Sequence, residues 1–149
     1  MHIWVDADAC PNPIKEILFR AALRCEVPLT LVANHAIRVP SSPLIKFRQV
    51  ESGFDVADNL IAQQASTGDI VVTGDIPLAA EVVEKGVQVI SPRGEHFTPA
   101  NIRQRLAMRN LMEELRNTGE VRGGPSSLGN TERQQFANVL DRLLAARKK

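Results

Sequence analysis

Several features that mark other protein classes are scarce in this 149-residue chain. Its only cysteines are Cys10 and Cys25, too few for a disulfide scaffold and not spaced as a zinc motif. No apolar run approaches the roughly 20 residues needed to cross a bilayer, so we expect no membrane association. Tyrosine is absent and aromatic residues make up 4% of the chain, which leaves few platforms for stacking nucleic-acid bases.

The rest of the composition is that of an ordinary globular protein, with 44% hydrophobic and 23% charged residues. The length suits one core, so we expect a single domain over residues 1–149. Within it, residues 1–98 form an α/β core and residues 99–149 a helical, basic extension. Because no charged and apolar leader precedes the first predicted strand, we expect a cytoplasmic protein. The sequence is compatible with a homo-oligomer and does not specify one.

The formal net charge of +1 conceals an asymmetry along the chain. Residues 1–100 carry 8 basic and 12 acidic residues, whereas residues 101–149 carry 10 basic and 5 acidic residues. The basic part would flank the acidic part and could hold the backbone of a polyanion. The alternative is that the basic helices are only solvated surfaces.

Hydrophobic runs and helical patterns alternate along the chain. Strands are predicted near residues 2–6, 29–33, 47–50, 69–73 and 87–90. Helices are predicted near residues 13–24, 55–67 and 77–85, after Pro99, and from Thr131, with a Gly/Pro/Ser loop at 119–129 and a frayed tail at 147–149. This alternation predicts an α/β fold with a mostly parallel, five-stranded sheet and helices on both faces.

Aspartates stand where predicted strands end or helices begin. Asp6 and Asp8 follow the first strand, Asp75 sits in a Thr-Gly-Asp turn after the fourth, and Asp58 lies near a helix start. The carboxyl ends of parallel strands share one edge of a sheet, so these side chains should meet there. Crowded carboxylates repel unless a cation separates them, and oxygen ligands suit Mg²⁺ or Mn²⁺.

Each acid also has a structural interpretation, because acids are favoured at helix N-termini. We assign Asp55 as the helix cap and Asp58 as the ligand; Asp75 could serve as either. We assign Cys10 to packing, since nearby carboxylates would raise the pKa of a catalytic thiol. Arg93, after the fifth strand, is placed to bind a phosphate in bidentate fashion.

The ordered set of motifs resembles the YaiI/YqxD family of small bacterial proteins, over nearly the whole chain. The segments that carry the resemblance are VDADACP at 5–11, ANH at 33–35, DVAD at 55–58, DIVVTGDIPLA at 69–79 and PRG at 92–94. That family is similar in turn to the PIN-like and NYN nuclease superfamily. The resemblance implies that Asp6, Asp58 and Asp75 hold Mg²⁺ or Mn²⁺, with Asp8 as a family-specific addition.

The leading hypothesis is a metal-dependent nuclease acting on RNA. Asp6, Asp58 and Asp75 would be catalytic, and together with Asp8 they would bind the metal. Backbone phosphates would be held by four arginines, Arg93, Arg103, Arg105 and Arg109. One alternative is a non-catalytic RNA- or ribonucleoprotein-binding module. Another is a small-substrate phosphatase in which Asp6 is the nucleophile and Asp8 an acid/base.

Overall fold

The computed structural model describes residues 1–53, 56–118 and 129–146. The cap predicted at Asp55, the loop predicted at 119–129 (Gly129 excepted) and the tail predicted at 147–149 lie outside the described residues. The strands are β1 (Ile3–Asp6), β2 (Leu29–Ala33), β3 (Ile45–Gln49), β4 (Ile70–Val72), β5 (Gln88–Ile90) and β6 (His96–Phe97). The helices are α1 (Asn12–Cys25), α2 (Val56–Gln64), α3 (Ile76–Val83), α4 (Ile102–Asn117) and α5 (Asn130–Ala145), with a 3-10 turn at Ala7–Ala9.

The six described strands form one sheet in the order β3-β2-β1-β4-β5-β6. All neighbours are parallel except β5 and β6, which pair in antiparallel fashion through Val89 with Phe97 and Ile90 with His96. The α/β class and the mostly parallel sheet are therefore confirmed. The sheet has one strand more than the five predicted, because β6 is only two residues long and leaves no periodic pattern in the sequence.

Helices cover both faces of the sheet, as predicted. Side chains alternate along each strand, so Ile3 and Val5 face one layer while Trp4 faces the other. The first layer is built from α1 and α5, and Phe136, Leu140 and Leu144 of α5 are fully buried in it. The second layer contains α2, α3 and the start of α4. The C-terminal helix α5 thus completes the core of the sheet.

Local details differ from the predictions where the sequence signal is short. The third strand begins at Ile45, two residues before its predicted start. Helix α1 begins at Asn12, one residue before its predicted start, and Pro11 occupies the cap position. On α4 only Ile102 is buried, and Leu111 is exposed although it continues the apolar pattern. No helix in the described ranges is long and apolar enough to cross a bilayer.

At the amino edge of the sheet, Asp69 organises a structural network. Its carboxylate accepts hydrogen bonds from the backbone N–H groups of His2 (3.0 Å) and Ser66 (3.0 Å) and from Trp4 Nε1 (3.2 Å). The His2 ring stacks on Trp4 with centroids 4.2 Å apart, and burial lowers the pKa of His2. These contacts give Asp69 a structural role at the amino edge of the sheet, the opposite edge from the acids that follow the strands.

Candidate functional site

The strand order reverses between β1 and β4. From β1 the chain adds β2 and β3 on one side, then crosses back to place β4 on the other side of β1. Helices leaving two such adjacent strands go to opposite faces, which opens a crevice at the carboxyl ends of the strands, where ligands bind in folds of this kind. Asp6 ends β1, and Asp75 lies three residues after the end of β4. The topology therefore brings these two acids to the reversal point.

Asp6 is the most buried carboxylate of the group, at 9% exposure. Alternation along β1 points it towards the same side as Trp4, the side on which α2 and α3 begin. Its Oδ2 accepts a hydrogen bond from the hydroxyl of Thr73 (3.1 Å), which follows β4. Burial raises the pKa of Asp6, the Thr73 hydrogen bond lowers it in part, and the charges of Asp75 and Asp8 raise it further.

Thr73 connects Asp6 to Asp75. Its hydroxyl donates to Asp6 and accepts from the backbone N–H of Asp75 (3.0 Å). Asp75 caps α3, because its Oδ1 accepts from the N–H of Leu78 (2.9 Å). The sequence left the cap and the functional site as alternatives for Asp75; capping is observed, and the carboxylate still lies close enough to raise the pKa of Asp6. The bond to Thr73 was not predicted.

Asp8 connects the β1 turn to the end of β2. Its Oδ2 accepts from the backbone N–H of Asn34 (2.9 Å), and its Oδ1 lies 2.7 Å from His35 Nδ1. With Nδ1 directed at Asp8, the Nε2 atom of the half-exposed His35 ring is left for other partners. The His35 contact was missed as a functional feature, although Asn34 and His35 follow a strand as Asp6 does.

A cavity of about 140 Å³ joins three of the predicted acids. Asp6, Asp8 and Asp58 line it, with Asp58 contributed by the first turn of α2. A fourth acid, Glu51, lines it from the segment after β3 and was not predicted. The rule that found the aspartates, an acid just beyond a strand, also applies to Glu51. Asp75 lies outside this lining, on the other side of Asp6.

The donor chemistry of this edge fits a hard divalent cation. The described lining contains four carboxylates, the amide residue Asn34 and no lysine or arginine. Within the described part of the chain, no three or more His, Cys, Asp or Glu side chains converge as a ready metal cage. Mg²⁺ is commonly held by one or two carboxylates, with water and substrate phosphate completing its shell. The predicted ligands thus share an edge without meeting at one point.

The four arginines predicted to bind phosphate occupy two places. Arg93 follows β5, beside Gly74: a Cβ built on Gly74 would lie 3.8 Å from Pro92 Cδ, so the turns after β4 and β5 are neighbours. Arg93 lies 3.6 Å from Glu132 of α5. Arg103, Arg105 and Arg109 lie on α4, where Arg105 pairs with Glu95 and Arg109 with Glu113. Arg93, and Arg105 through Glu95, are therefore connected to the turn after β5, whereas Arg109 pairs within α4.

Cys10 belongs to the core. It is 5% exposed and packs in the layer between the sheet and α1. Burial raises the pKa of its thiol to about 12, with the nearby charge of Asp6 acting in the same direction and that of Lys15 against it. A thiol of this kind is protonated at neutral pH and is a poor nucleophile.

Comparison with known proteins extends the motif resemblance to nearly the full length. A family model described as uncharacterized BCR, YaiI/YqxD family, matches residues 4–146. The chain is 61% identical to a UPF0178 protein of Halorhodospira halophila, covering 99% of this chain and 97% of the relative. It is 62% identical to a UPF0178 protein of Marinobacter nauticus, covering 97% and 96%. No solved structure matches it.

Proposed function

The chain belongs to the YaiI/YqxD family, and from this premise we propose that it is a divalent-metal-dependent phosphodiesterase acting on RNA. The proposal includes the PIN-like character expected from the motifs. One observation carries it: a cavity at the carboxyl edge of the sheet, lined from the segments after β1, β2 and β3 and from α2, has four carboxylates and no lysine or arginine in its described lining. Carboxylates gathered at one edge repel one another, and a bound divalent cation would relieve that repulsion.

The partly buried Asp6 supports the proposal further. Its pKa is raised by burial and by the charges of Asp75 and Asp8, so the folded protein resists ionising this group. A bound divalent ion would reverse that tendency and would favour the charged form. Before any metal binds, the hydrogen bond from Thr73 fixes the orientation of the Asp6 carboxylate. The proposed metal ligands are Asp6, Asp8, Asp58 and Asp75. The proposed catalytic residues are Asp6, Asp58 and Asp75.

The residues around the acids suit a phosphodiester. When bound, the metal would supply Lewis-acid stabilisation of phosphate charge and activation of a water molecule. Arg93 stands on the turn beside Gly74 and would hold a non-bridging phosphate oxygen. Glu132, at 3.6 Å, keeps the guanidinium at this edge. The other ring nitrogen of the exposed His35, Nε2, would contact the substrate, with Asp8 fixing the ring through Nδ1.

The phosphatase alternative receives less support. A nucleophilic aspartate must reach the phosphorus atom of its substrate with a free oxygen, but Asp6 is 9% exposed and one of its oxygens is bound to Thr73. Asp8, the other residue of that hypothesis, is held by Asn34 and His35. These contacts suit carboxylates that position other groups better than a covalent nucleophile and its acid partner.

The test is cleavage of a phosphodiester by the purified protein in Mn²⁺ or Mg²⁺. Two substrates are needed: bis(4-nitrophenyl) phosphate, which requires no extended binding surface, and a fluorescein-labelled single-stranded RNA. We expect hydrolysis of both by wild type, loss in EDTA, and a decrease of at least 100-fold in Asp6→Asn and Asp58→Asn, as expected when a metal ligand is removed.

Asp141→Asn is the matched control, because Asp141 is an exposed acid of α5 that pairs with Arg24 of α1 and does not line the cavity. It should retain wild-type hydrolysis. Equal hydrolysis by Asp6→Asn and wild type would refute the assignment of the site. RNA binding that is insensitive to EDTA, with no hydrolysis of either substrate, would favour the non-catalytic RNA-binding module.

A further inference from the structure

A groove lies between α1 and α5 on the outer side of the first helical layer. Its volume is about 410 Å³. We call it the α1/α5 groove; its described lining is Pro13, Ile17, Arg20, Asn130, Arg133, Gln134 and Ala137. A second, more open hollow adjoins it on α5, shares Asn130 and Gln134, and adds Arg142.

The groove opens at the edge of the sheet that carries the acids. Helix α1 begins a few residues after Asp6 and Asp8, so its first turn, with Pro13, lies at that edge. The early part of α5 lies there too, because Gln135 and Phe136 pack against Gly94, just after β5. Further along, Arg24 and Asp141 join the two helices by an ion pair of 2.8 Å.

The charge of the groove's described lining is positive. Arg20 and Arg133 form no ion pair with any described residue, and no acid belongs to the described lining. Arg133 donates instead to the amide oxygen of Asn130. By contrast, Arg105 and Arg109 on α4 each pair with a glutamate. Two arginines without acidic partners in a groove favour a ligand with repeated negative charge, such as a phosphodiester backbone.

The remaining polar groups of the groove favour RNA over DNA. The amide oxygen of Asn130 accepts from Arg133, which leaves its NH2 group to donate. The NH2 group of Gln134 donates to Asn138, which leaves its oxygen to accept. A donor and an acceptor side by side match a ribose 2′-hydroxyl. No aromatic side chain belongs to the described lining, so stacking on bases contributes nothing there. Binding should therefore depend on the backbone, with strong salt dependence and little preference for base sequence.

We propose that the α1/α5 groove binds the backbone of single-stranded RNA through Arg20 and Arg133. The groove would hold a part of the strand outside the scissile phosphate, and the acidic cavity would receive the phosphate itself. This assignment names the substrate contacts of the proposed function and rests on it for the identity of the cleavage site. The binding step is measurable by itself, since it requires no metal.

The experiment measures fluorescence anisotropy of a labelled 12-nucleotide RNA of mixed sequence in EDTA, at several salt concentrations. Wild type is compared with the double variant Arg20→Gln/Arg133→Gln. We expect the variant to bind about tenfold more weakly near physiological salt. The negative slope of log K against log salt should become shallower by about 1.4, because two phosphate contacts are lost. DNA of the same sequence should bind more weakly than the RNA.

A charge-matched double variant makes the result specific to the groove. Arg48→Gln/Arg116→Gln removes two exposed arginines, one from β3 and one from α4. The proposal is overturned if wild type does not bind the RNA, if this matched variant loses as much affinity as the groove variant, or if DNA binds equally well. Thermal melts verify that each variant is folded.

The same samples separate this inference from the proposed function. Hydrolysis of bis(4-nitrophenyl) phosphate tests the acidic site without an extended strand. If wild type hydrolyses this diester but RNA affinity does not depend on Arg20 and Arg133, the groove assignment fails alone. If RNA affinity depends on the groove but the diester is not hydrolysed in Mn²⁺ or Mg²⁺, the proposed function fails alone.

Discussion

At the scale of single residues, the environment of Asp6 opposes its negative charge. Burial is the largest cause of its raised pKa, ahead of the charges of Asp75 and Asp8. Between its ordinary value of 3.8 and the raised value, the folded protein binds more protons than the unfolded chain. The free energy of unfolding therefore falls as pH rises through this interval. The stabilising contribution is fully present below 3.8 and is lost once Asp6 ionises.

Asp6→Asn should consequently be more stable than wild type in EDTA at pH 7.5. Asparagine keeps an oxygen acceptor for Thr73 and carries no charge to desolvate. We expect a melting midpoint a few degrees higher, since about 1 kcal/mol moves the midpoint by roughly 2–4 °C in a chain of this length. The advantage should shrink as pH falls through the raised pKa of Asp6, because the wild-type carboxyl group then takes up its proton.

Melts in EDTA from pH 4 to 8 measure this difference, with Asp141→Asn as the exposed control. Because the Arg24–Asp141 pair is solvent-accessible on both sides, its loss should change stability by less than about 1 kcal/mol. A variant Asp6→Asn no more stable than wild type at pH 7.5 would contradict the unfavourable environment that we describe. In Mg²⁺, ligand binding to the native state should raise the wild-type midpoint above its EDTA value.

At the scale of elements, the turn after β5 connects the acidic edge to α5. Gly94 has φ of +88°, a conformation that favours glycine, and a Cβ there would lie 2.6 Å from the backbone nitrogen of Phe136. The turn therefore packs against the backbone of α5 as closely as the absence of a side chain allows. This packing places Arg93 near Glu132 and the start of α5 near the sheet edge.

Gly94→Ala should destabilise the protein through both strain and collision. The left-handed conformation costs an alanine about 1–2 kcal/mol, and displacement of α5 adds to that loss. Gly68→Ala is the matched control, because Gly68 has φ of +91° but has no atom within 4 Å of the added Cβ. Urea unfolding should give a clearly larger loss for Gly94→Ala. Equal losses of unfolding free energy in the two variants would mean that α5 shifts to accommodate the added methyl group without destabilising the protein.

The sequence predicted the positions of helices and strands better than it predicted which of them pack or pair together. Long periodic stretches such as α1 and α5 were recognised because each buries one face of apolar side chains. The two-residue β6 was not, since its antiparallel pairing with β5 depends on the turn that returns the chain and not on its own pattern. Leu111 fits the apolar period of α4 but is exposed, because helical spacing does not show which neighbours an element has.

The candidate site was predictable to the same extent: its local signals could be recognised, but its long-range contacts could not. An acid after a strand is a local signal, and it identified Asp6, Asp8 and Asp75. The Thr73 bridge, the His35 contact with Asp8 and the position of Glu51 depend on which strands are adjacent, and strand order is a long-range property. The carboxyl-edge rule applied evenly to every predicted strand would also have named Asn34 and Glu51.

At the scale of the whole molecule, charge is segregated around one edge of the sheet. The described lining of the cavity at the carboxyl edge is acidic, whereas the described lining of the α1/α5 groove has two arginines and no acid. A net charge of +1 gives no sign of this separation. The division suits a substrate whose reacting group requires a cation at one point and whose length requires cationic side chains elsewhere.

The cooperativity of unfolding between the two helical layers is a property of the whole molecule. Phe136, at 0% exposure, lies in the layer of α1 and α5, while Trp4, the only tryptophan, faces the layer of α2 and α3. Both layers pack on the same strands, so loss of packing on one face should weaken the other. We therefore expect Trp4 fluorescence to respond to a cavity created at Phe136.

Phe136→Ala should cost about 3–5 kcal/mol and lower the urea midpoint by roughly 2 M, for a slope near 2 kcal/mol per M. If the chain folds as one domain, as its length predicts, far-UV circular dichroism and Trp4 fluorescence should shift together in one transition. Leu111→Ala, at an exposed position of α4, should leave both midpoints nearly unchanged. Separate midpoints for the two probes in Phe136→Ala would show instead that α5 with its layer unfolds independently of the sheet's other face.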